Sequence, residues 1–230
     1  MTSSKHRGDK MPEELNSILV ELHSHSNYSD GSASPEKLFM QANKIGLEAL
    51  AITDHNIFAC GKMKELEKKY NIINIPGVEI NSDAGHILCL GINSMPRSKT
   101  LPELHDEIHS DSGILIAAHP YGGALREGIV QKPEYVKYVD AIEVLNGKTF
   151  ASMNKKAMEL AVHCKKPMVS GSDSHILSEL GKYACKIDGS SVEEILKAIK
   201  KGHVILPDKK TSFTGILWKT FKGKVRKQFR

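Results

Sequence analysis

Seven short apolar runs, interrupted by segments of helical spacing, constrain this chain more than any other feature. The runs are "ILVEL", "ALAIT", "IINIPGVEI", "HILCLGI", "GILIAAH", "AIEVL" and "PMVSGS". Their length and near-continuous hydrophobicity predict strands, many of them covered on both faces. Among the intervening segments, "SPEKLFMQANKIG" has Ser34 as cap, Pro35 at the first helical position and Gly46 as stop. Leu38, Phe39, Ala42 and Ile45 make its apolar face. "SSVEEILKAIKKG" pairs Ser191 with Glu194 at its start and ends in lysines and Gly202. Residues 60–70, 101–111 and 150–165 have helical patterns too. Such alternation predicts parallel strands with crossover helices, in an open doubly wound sheet or a closed barrel. No Gly-rich dinucleotide or Walker-type phosphate loop follows any run, which counts against the nucleotide-binding open sheets.

With 40% hydrophobic residues in a chain of 230, one core-forming domain is expected over residues 17–206. The polar opening, residues 1–16, reads as a disordered arm without the apolar core of a secretory signal. No run approaches the roughly 20 apolar residues that span a bilayer, so a cytoplasmic protein without a transmembrane segment is expected. Cys60, Cys89, Cys164 and Cys185 are widely spaced, which argues against a disulfide framework or a thiolate zinc site. The net charge of +5 is uneven: from Pro207 to Arg230 eight basic residues face one acid, a tail of +7 that leaves about −2 for the rest. Attraction to polyanions is therefore concentrated in residues 207–230.

The polar residues fall where the runs end. His23 and His25 close the first, Asp54 and His55 the second, and Glu79 lies near the end of the third. His119 closes "GILIAAH", and Asp173 and His175 follow "PMVSGS". In parallel α/β folds the carboxyl ends of the strands open onto one face, so these side chains are expected to converge. Imidazoles and carboxylates together suit zinc, manganese or iron, and a carboxylate can bridge two ions. In His23-x-His25 and Asp173-x-His175 the spacing puts both side chains on one face of an extended segment. Asp30 before Gly31 is compatible with a turn, and Asp54 with a ligand, a ligand-supporting group or a loop residue. His105 and His109 lie four apart on a polar helix, where a solvated face is the expectation. His6, His163 and His203 receive no role.

In this order and context, "HSHSNYSDG", "AITDHN", "GVEI", "AAHP" and "GSDSH" resemble the motifs of the PHP (polymerase and histidinol phosphatase) domain family, from about Glu21 to Gly181. The resemblance implies a distorted TIM-like α/β barrel of seven βα units, with about three divalent ions (Mn, Zn or Fe) at the carboxyl ends of its strands. Matched residue by residue, it implies His23, His25, Asp30, His55, Glu79, His86, His119, Asp173 and His175 as metal ligands. His86 opens its run rather than closing it, so its strand must run opposite to its neighbours to reach that face. By analogy, His23, His25, Glu79 and Asp173 hold one ion. Glu79 bridges to a second held by His86 and His119, and Asp30, His55 and His175 hold the third.

The expected activity is metal-dependent hydrolysis of phosphate esters by a metal-bridging hydroxide, with no protein nucleophile. Phosphorus as the target comes from the resemblance, since similar metals also serve ester and amide hydrolysis. The expected substrate is a small phosphomonoester, nucleotide-like. Alternatives are an exonuclease or phosphodiesterase acting on DNA or RNA ends through the basic tail, a histidinol-phosphate phosphatase, and a non-catalytic binding module. Arg126, Asn146 and Lys148 follow strands that feed the site face, where they either bind the substrate phosphate or serve as ordinary loop residues.

Overall fold

The computed structural model describes residues 17–59, 61–122 and 128–208. The arm at 1–16, Arg126 and the tail from 209 onward lie outside the described residues. Among the described residues no helix is long and apolar enough to cross a membrane.

Strands β1 (Ser17–Glu21), β2 (Ala49–Ile52), β3 (Ile73–Ser82), β4 (Gly85–Leu90), β5 (Ile114–Ala117), β6 (Ala141–Asn146) and β7 (Met168–Gly171) coincide with the seven apolar runs. Helix α1 (Pro35–Lys44) joins β1 to β2, α2 (Met63–Tyr70) joins β2 to β3, α3 (Leu101–Ser110) joins β4 to β5 and α4 (Ala151–Cys164) joins β6 to β7. Two local devices anticipated from sequence are in place. Ser34 accepts the Lys37 N–H at the start of α1, and Ser191 accepts the Glu194 N–H at the start of α5 (Val192–Lys201).

The sheet follows the chain, β7-β6-β5-β4-β3-β2-β1, and continues past β1 into β8 (Cys185–Asp188) and β9 (Val204–Ile205). At the carboxyl ends, Asp173 N–H donates to His23 O at 2.8 Å and His25 N–H to Ser174 O at 2.9 Å, drawing β1 and β7 together. The sheet is thus a nearly closed, distorted TIM-like barrel. At the amino ends β8 occupies the gap beside β1, in antiparallel pairing. Helix α5 stoppers that end, burying Ile195, Leu196, Ala198 and Ile199 with Val20, Ala51, Leu90 and Ile116. Each valine, leucine or isoleucine among them contributes about 1.5–3 kcal/mol.

The barrel departs from seven regular βα units in two places. No helix separates β3 from β4, a hairpin paired antiparallel from Gly77–Leu90 to Ser82–Gly85. Among the described residues, the link from β5 to β6 carries the 3-10 turns Ile129–Gln131 and Pro133–Tyr138 in place of an α-helix. Because β4 also pairs antiparallel with β5, its first residues, including His86, reach the face where the other strands end.

That face is reached along the inner side of the barrel by simple alternation. Ile75 and Gly77 precede Glu79 on β3, and Leu90 and Leu88 lead back to His86 on β4. Ala141 precedes Glu143 on β6, and Val169 and Gly171 precede Asp173 on and after β7. Each series has period two, so one strand face fills the barrel with apolar groups and then delivers a polar one.

Candidate metal centre

The segment after β1 is shaped by Asp54. Its carboxylate accepts the Ser26 N–H at 2.7 Å, the Ser26 hydroxyl at 2.6 Å and the Ser29 hydroxyl at 2.6 Å. Asp54 is therefore turned into the loop, which decides among its three possible roles. A Cβ on Gly31 would stand 2.3 Å from His25 O, so only glycine lets the loop fold back and present Asp30. Two site residues adopt left-handed backbone, His119 at φ 26° and Asp173 at φ 50°. Such conformations cost non-glycine residues of order 1–3 kcal/mol and concentrate at functional sites.

All nine side chains matched to the PHP motifs converge, from six strands, around Glu79. One oxygen, Oε2, lies 3.2 Å from His23 Nε2, 3.3 Å from His25 Nε2 and 3.3 Å from His55 Nδ1. The other, Oε1, lies 2.9 Å from His86 Nδ1 and 3.1 Å from His119 Nε2. Asp173 Oδ1 stands 3.3 Å from His25 Nε2 and 3.7 Å from His23 Nε2. Asp30 Oδ2 stands 3.2 Å from His175 Nε2 and 3.9 Å from His55 Nε2. Four overlapping groups have ligand atoms within 4.8 Å of one another: His23/Glu79/His119, His23/His25/Asp173, His55/Glu79/His86 and His25/Asp30/His55/His175.

The donor set fits divalent cations. Both ring nitrogens of His25, and Nδ1 of His55 and of His119, are buried without a hydrogen-bond partner. Unpaired buried polar atoms are costly, and His25 Nε2 and His55 Nδ1, each 3.3 Å from Glu79 Oε2, stand where a cation at Glu79 would give them a partner. Burial opposes charge on His23, but Glu143, Glu79 and Asp173 outweigh it and hold its pKa well above 6.5. Burial likewise opposes charge on Glu79, and His23, His119 and His25 overcome it to hold the carboxyl well below 4.5. His55 is pushed down, chiefly by burial. Exposure is graded across the cluster. Glu79 and His23 are fully buried, whereas Asp30 is 56% exposed and His55 and His175 are partly open. A ligand from solvent therefore meets the Asp30/His55/His175 side first.

Two carboxylates inside apolar runs escaped the sequence reading. Glu143, within "AIEVL", accepts from His23 Nδ1 at 2.9 Å, from the His119 N–H at 2.8 Å and from Asn146 Nδ2 at 3.0 Å. Glu21, within "ILVEL", accepts the N–H groups of His23 at 3.1 Å, Ser172 at 2.9 Å and Gly181 at 3.1 Å, and the Ser172 hydroxyl. Burial raises the pKa of Glu21. A glutamate interrupting a buried apolar run was the available signal, because an acid there needs partners.

The substrate-binding expectations fare differently. Asn146 is fully buried and turned inward. Its Nδ2 donates to Glu143 and to Asp173, and its Oδ1 accepts from the Lys148 N–H and the Thr149 hydroxyl. With donor and acceptor both engaged, it braces the site and is not presented to substrate. Lys148 is partly exposed and ion-paired with Glu179, whose other oxygen accepts the His175 N–H at 3.2 Å. His105 and His109 are half-buried rather than freely solvated. His105 Nδ1 meets Tyr138 O at 2.8 Å and His109 Nε2 meets Asp140 at 3.1 Å, away from the cluster.

Comparisons with known proteins agree with this architecture. A family model described as PHP-associated matches residues 151–204. The uncharacterized protein MJ1587 of Methanocaldococcus jannaschii is 33% identical over 117 residues, 45% of this chain and 68% of that protein. The 5′-3′ exoribonuclease Rnm of Salmonella typhimurium is 32% identical over 158 residues, 60% of this chain and 53% of its own length. A Bacteroides vulgatus two-domain protein containing a PHP-like metal-dependent phosphoesterase superposes with a TM-score of 0.69 at 18% identity, over 89% of this chain and 69% of that one. The chain belongs to the PHP domain family.

Proposed function

We propose that this chain is a metal-dependent hydrolase of phosphate esters, holding about three divalent ions in the cluster centred on Glu79. The observation that carries this reading is the convergence of nine imidazole and carboxylate side chains on one buried carboxylate, with several ring nitrogens left without a partner. His23, His25, Glu79 and Asp173 would hold one ion, and Glu79 with His86 and His119 a second. Asp30, His55 and His175 would hold the third. Manganese, zinc and iron all suit these donors. Bound ions would supply Lewis acidity toward phosphoryl oxygens and acidify a coordinated water.

The protein's own part is to place and insulate. Glu79 presents one oxygen to each of two groups, keeping their ligands in fixed relation. The buried side, at His23 and His119, excludes solvent, while the open side admits the ester. Ser26 and Ser172, the hydroxyls flanking the histidines and Asp173, are engaged by Asp54 and Glu21 rather than aimed at a substrate. Lys148, a short reach from the open side, can exchange Glu179 for a phosphate.

The substrate we propose is a small nucleotide-like phosphomonoester. Tyr28, Ile57, Phe150 and Ile176 are exposed on the segments that follow β1, β2, β6 and β7, a rim suited to a flat apolar group beside the phosphate. The relative named as a 5′-3′ exoribonuclease favours a second reading, cleavage at nucleic-acid ends, with the basic segment from 207 onward supplying backbone attraction. The test is phosphate release from phosphomonoesters and nucleoside bisphosphates by manganese-, zinc- or iron-loaded protein, beside labelled oligonucleotides, with His25→Ala and Asp173→Ala as controls. Release of phosphate that vanishes in both variants supports the first reading. Shortened oligonucleotides without phosphomonoester turnover support the second. Silence in every arm refutes both.

A further inference from the structure

We propose that Glu143 is a positioning residue that sets the first two ion sites together and leaves the third untouched. The inference rests on the cluster holding divalent ions. Glu143 is buried and accepts three hydrogen bonds: from His23 Nδ1 at 2.9 Å, from the His119 N–H at 2.8 Å and from Asn146 Nδ2 at 3.0 Å. A carboxylate can only accept, so the proton facing Glu143 sits on His23 Nδ1, and Nε2, turned toward Glu79 and Asp173, is the nitrogen that would give up its proton to take a cation. On its other oxygen Glu143 fixes the backbone of His119, the residue held at φ 26°. Through Asn146, whose Nδ2 also reaches Asp173 Oδ2 at 3.2 Å, the same carboxylate is tied to a third ligand. None of these bonds touches Asp30, His55 or His175.

The carboxylate is required by its partners. All three groups facing Glu143 are N–H donors, and a glutamine of equal size would turn its own NH₂ against at least one of them. Gly171 makes the room: a Cβ there would stand 2.5 Å from Glu143 Oε1 and 2.5 Å from His23 Cβ. The fold thus gives up a side chain on β7 to let Glu143 reach His23.

The experiment is a zinc titration of metal-stripped wild type, Glu143→Gln and Asn146→Ser, by calorimetry with chelator competition. Anomalous diffraction at the zinc edge locates the occupied sites, and near-ultraviolet circular dichroism verifies the fold. Glu143→Gln is expected to weaken the two Glu79-linked sites about 10- to 100-fold and to leave the Asp30/His55/His175 site within about twofold. Histidine ring NMR of the zinc-loaded protein should show the His23 resonances displaced. Asn146→Ser keeps the carboxylate on both histidines and should weaken mainly the site that includes Asp173. It stands as the test should Glu143→Gln not fold. Equal weakening of all sites, or unchanged binding in a folded variant, overturns the inference. A wild type that binds no zinc, manganese or iron overturns instead the reading of the cluster on which it rests.

Discussion

Replacing Gly171 by alanine tests how tightly the barrel is closed over the candidate metal centre. The new Cβ would lie 2.5 Å from His23 Cβ and 3.5 Å from His23 Cα. Carbon atoms rest about 3.5–4.0 Å apart, so roughly 1 Å must be found. His23 cannot supply it cheaply. Its Cβ is one bond from a backbone whose carbonyl accepts the Asp173 N–H at 2.8 Å, the contact that draws β1 to β7. Overpacking of this kind costs about 1–3 kcal/mol, and the stiffer unfolded chain returns about 0.4–1 kcal/mol. A net loss of about 1–2 kcal/mol lowers Tm by roughly 2–8 °C in a chain of this size. Gly61→Ala is the matched control, since a Cβ there meets nothing within 4 Å. Calorimetric unfolding of the metal-free variants reads the difference directly. If Gly171→Ala melts with Gly61→Ala and with wild type, the argument from close approach is wrong.

Asp54→Ala removes the acceptor of three hydrogen bonds that hold residues 26–29, and should cost about 1–3 kcal/mol in chemical denaturation. It should also weaken metal binding most at the Asp30 side, as resolved by a zinc titration. His23 and His25 have folded pKa values raised above 6.5, so the stability they contribute is complete below that pH and lost as pH rises through the folded values. Metal-free protein should therefore melt lower as pH increases above 6.5, while metal-loaded protein should not, because ions bind the deprotonated rings. Calorimetry from about pH 6.5 to 9 with and without zinc checks both signs. Lys148→Ala breaks an exposed ion pair with Glu179, worth about 0.2–1 kcal/mol. If Lys148 meets substrate phosphate, KM should rise several-fold with Tm nearly unchanged.

The strands and the residues at their ends were legible because buried runs and polar termini carry a period that sequence displays directly. The reversal of β4 was legible as well, from His86 standing at the wrong end of its run. What stayed hidden had weaker local signals. Strand β8 is four residues long with Lys186 exposed at its second position, and β9 is two residues, so neither offers a periodic pattern. The 3-10 turns linking β5 to β6 bury few side chains of their own. Glu21 and Glu143 sat inside strands and were absorbed into their hydrophobic pattern. Asn146 was placed on the correct face, yet its orientation depends on Glu143 and Asp173, partners that only the closed barrel brings within reach.

The most direct test of the central claim is anomalous diffraction from crystals of the full chain grown with manganese or zinc. The account predicts strong peaks on both oxygens of Glu79, one shared with His23, His25 and Asp173 and one with His86 and His119, and a further peak among Asp30, His55 and His175. A map without ions at Glu79, under conditions where the protein is folded and the metal is in excess, would contradict it.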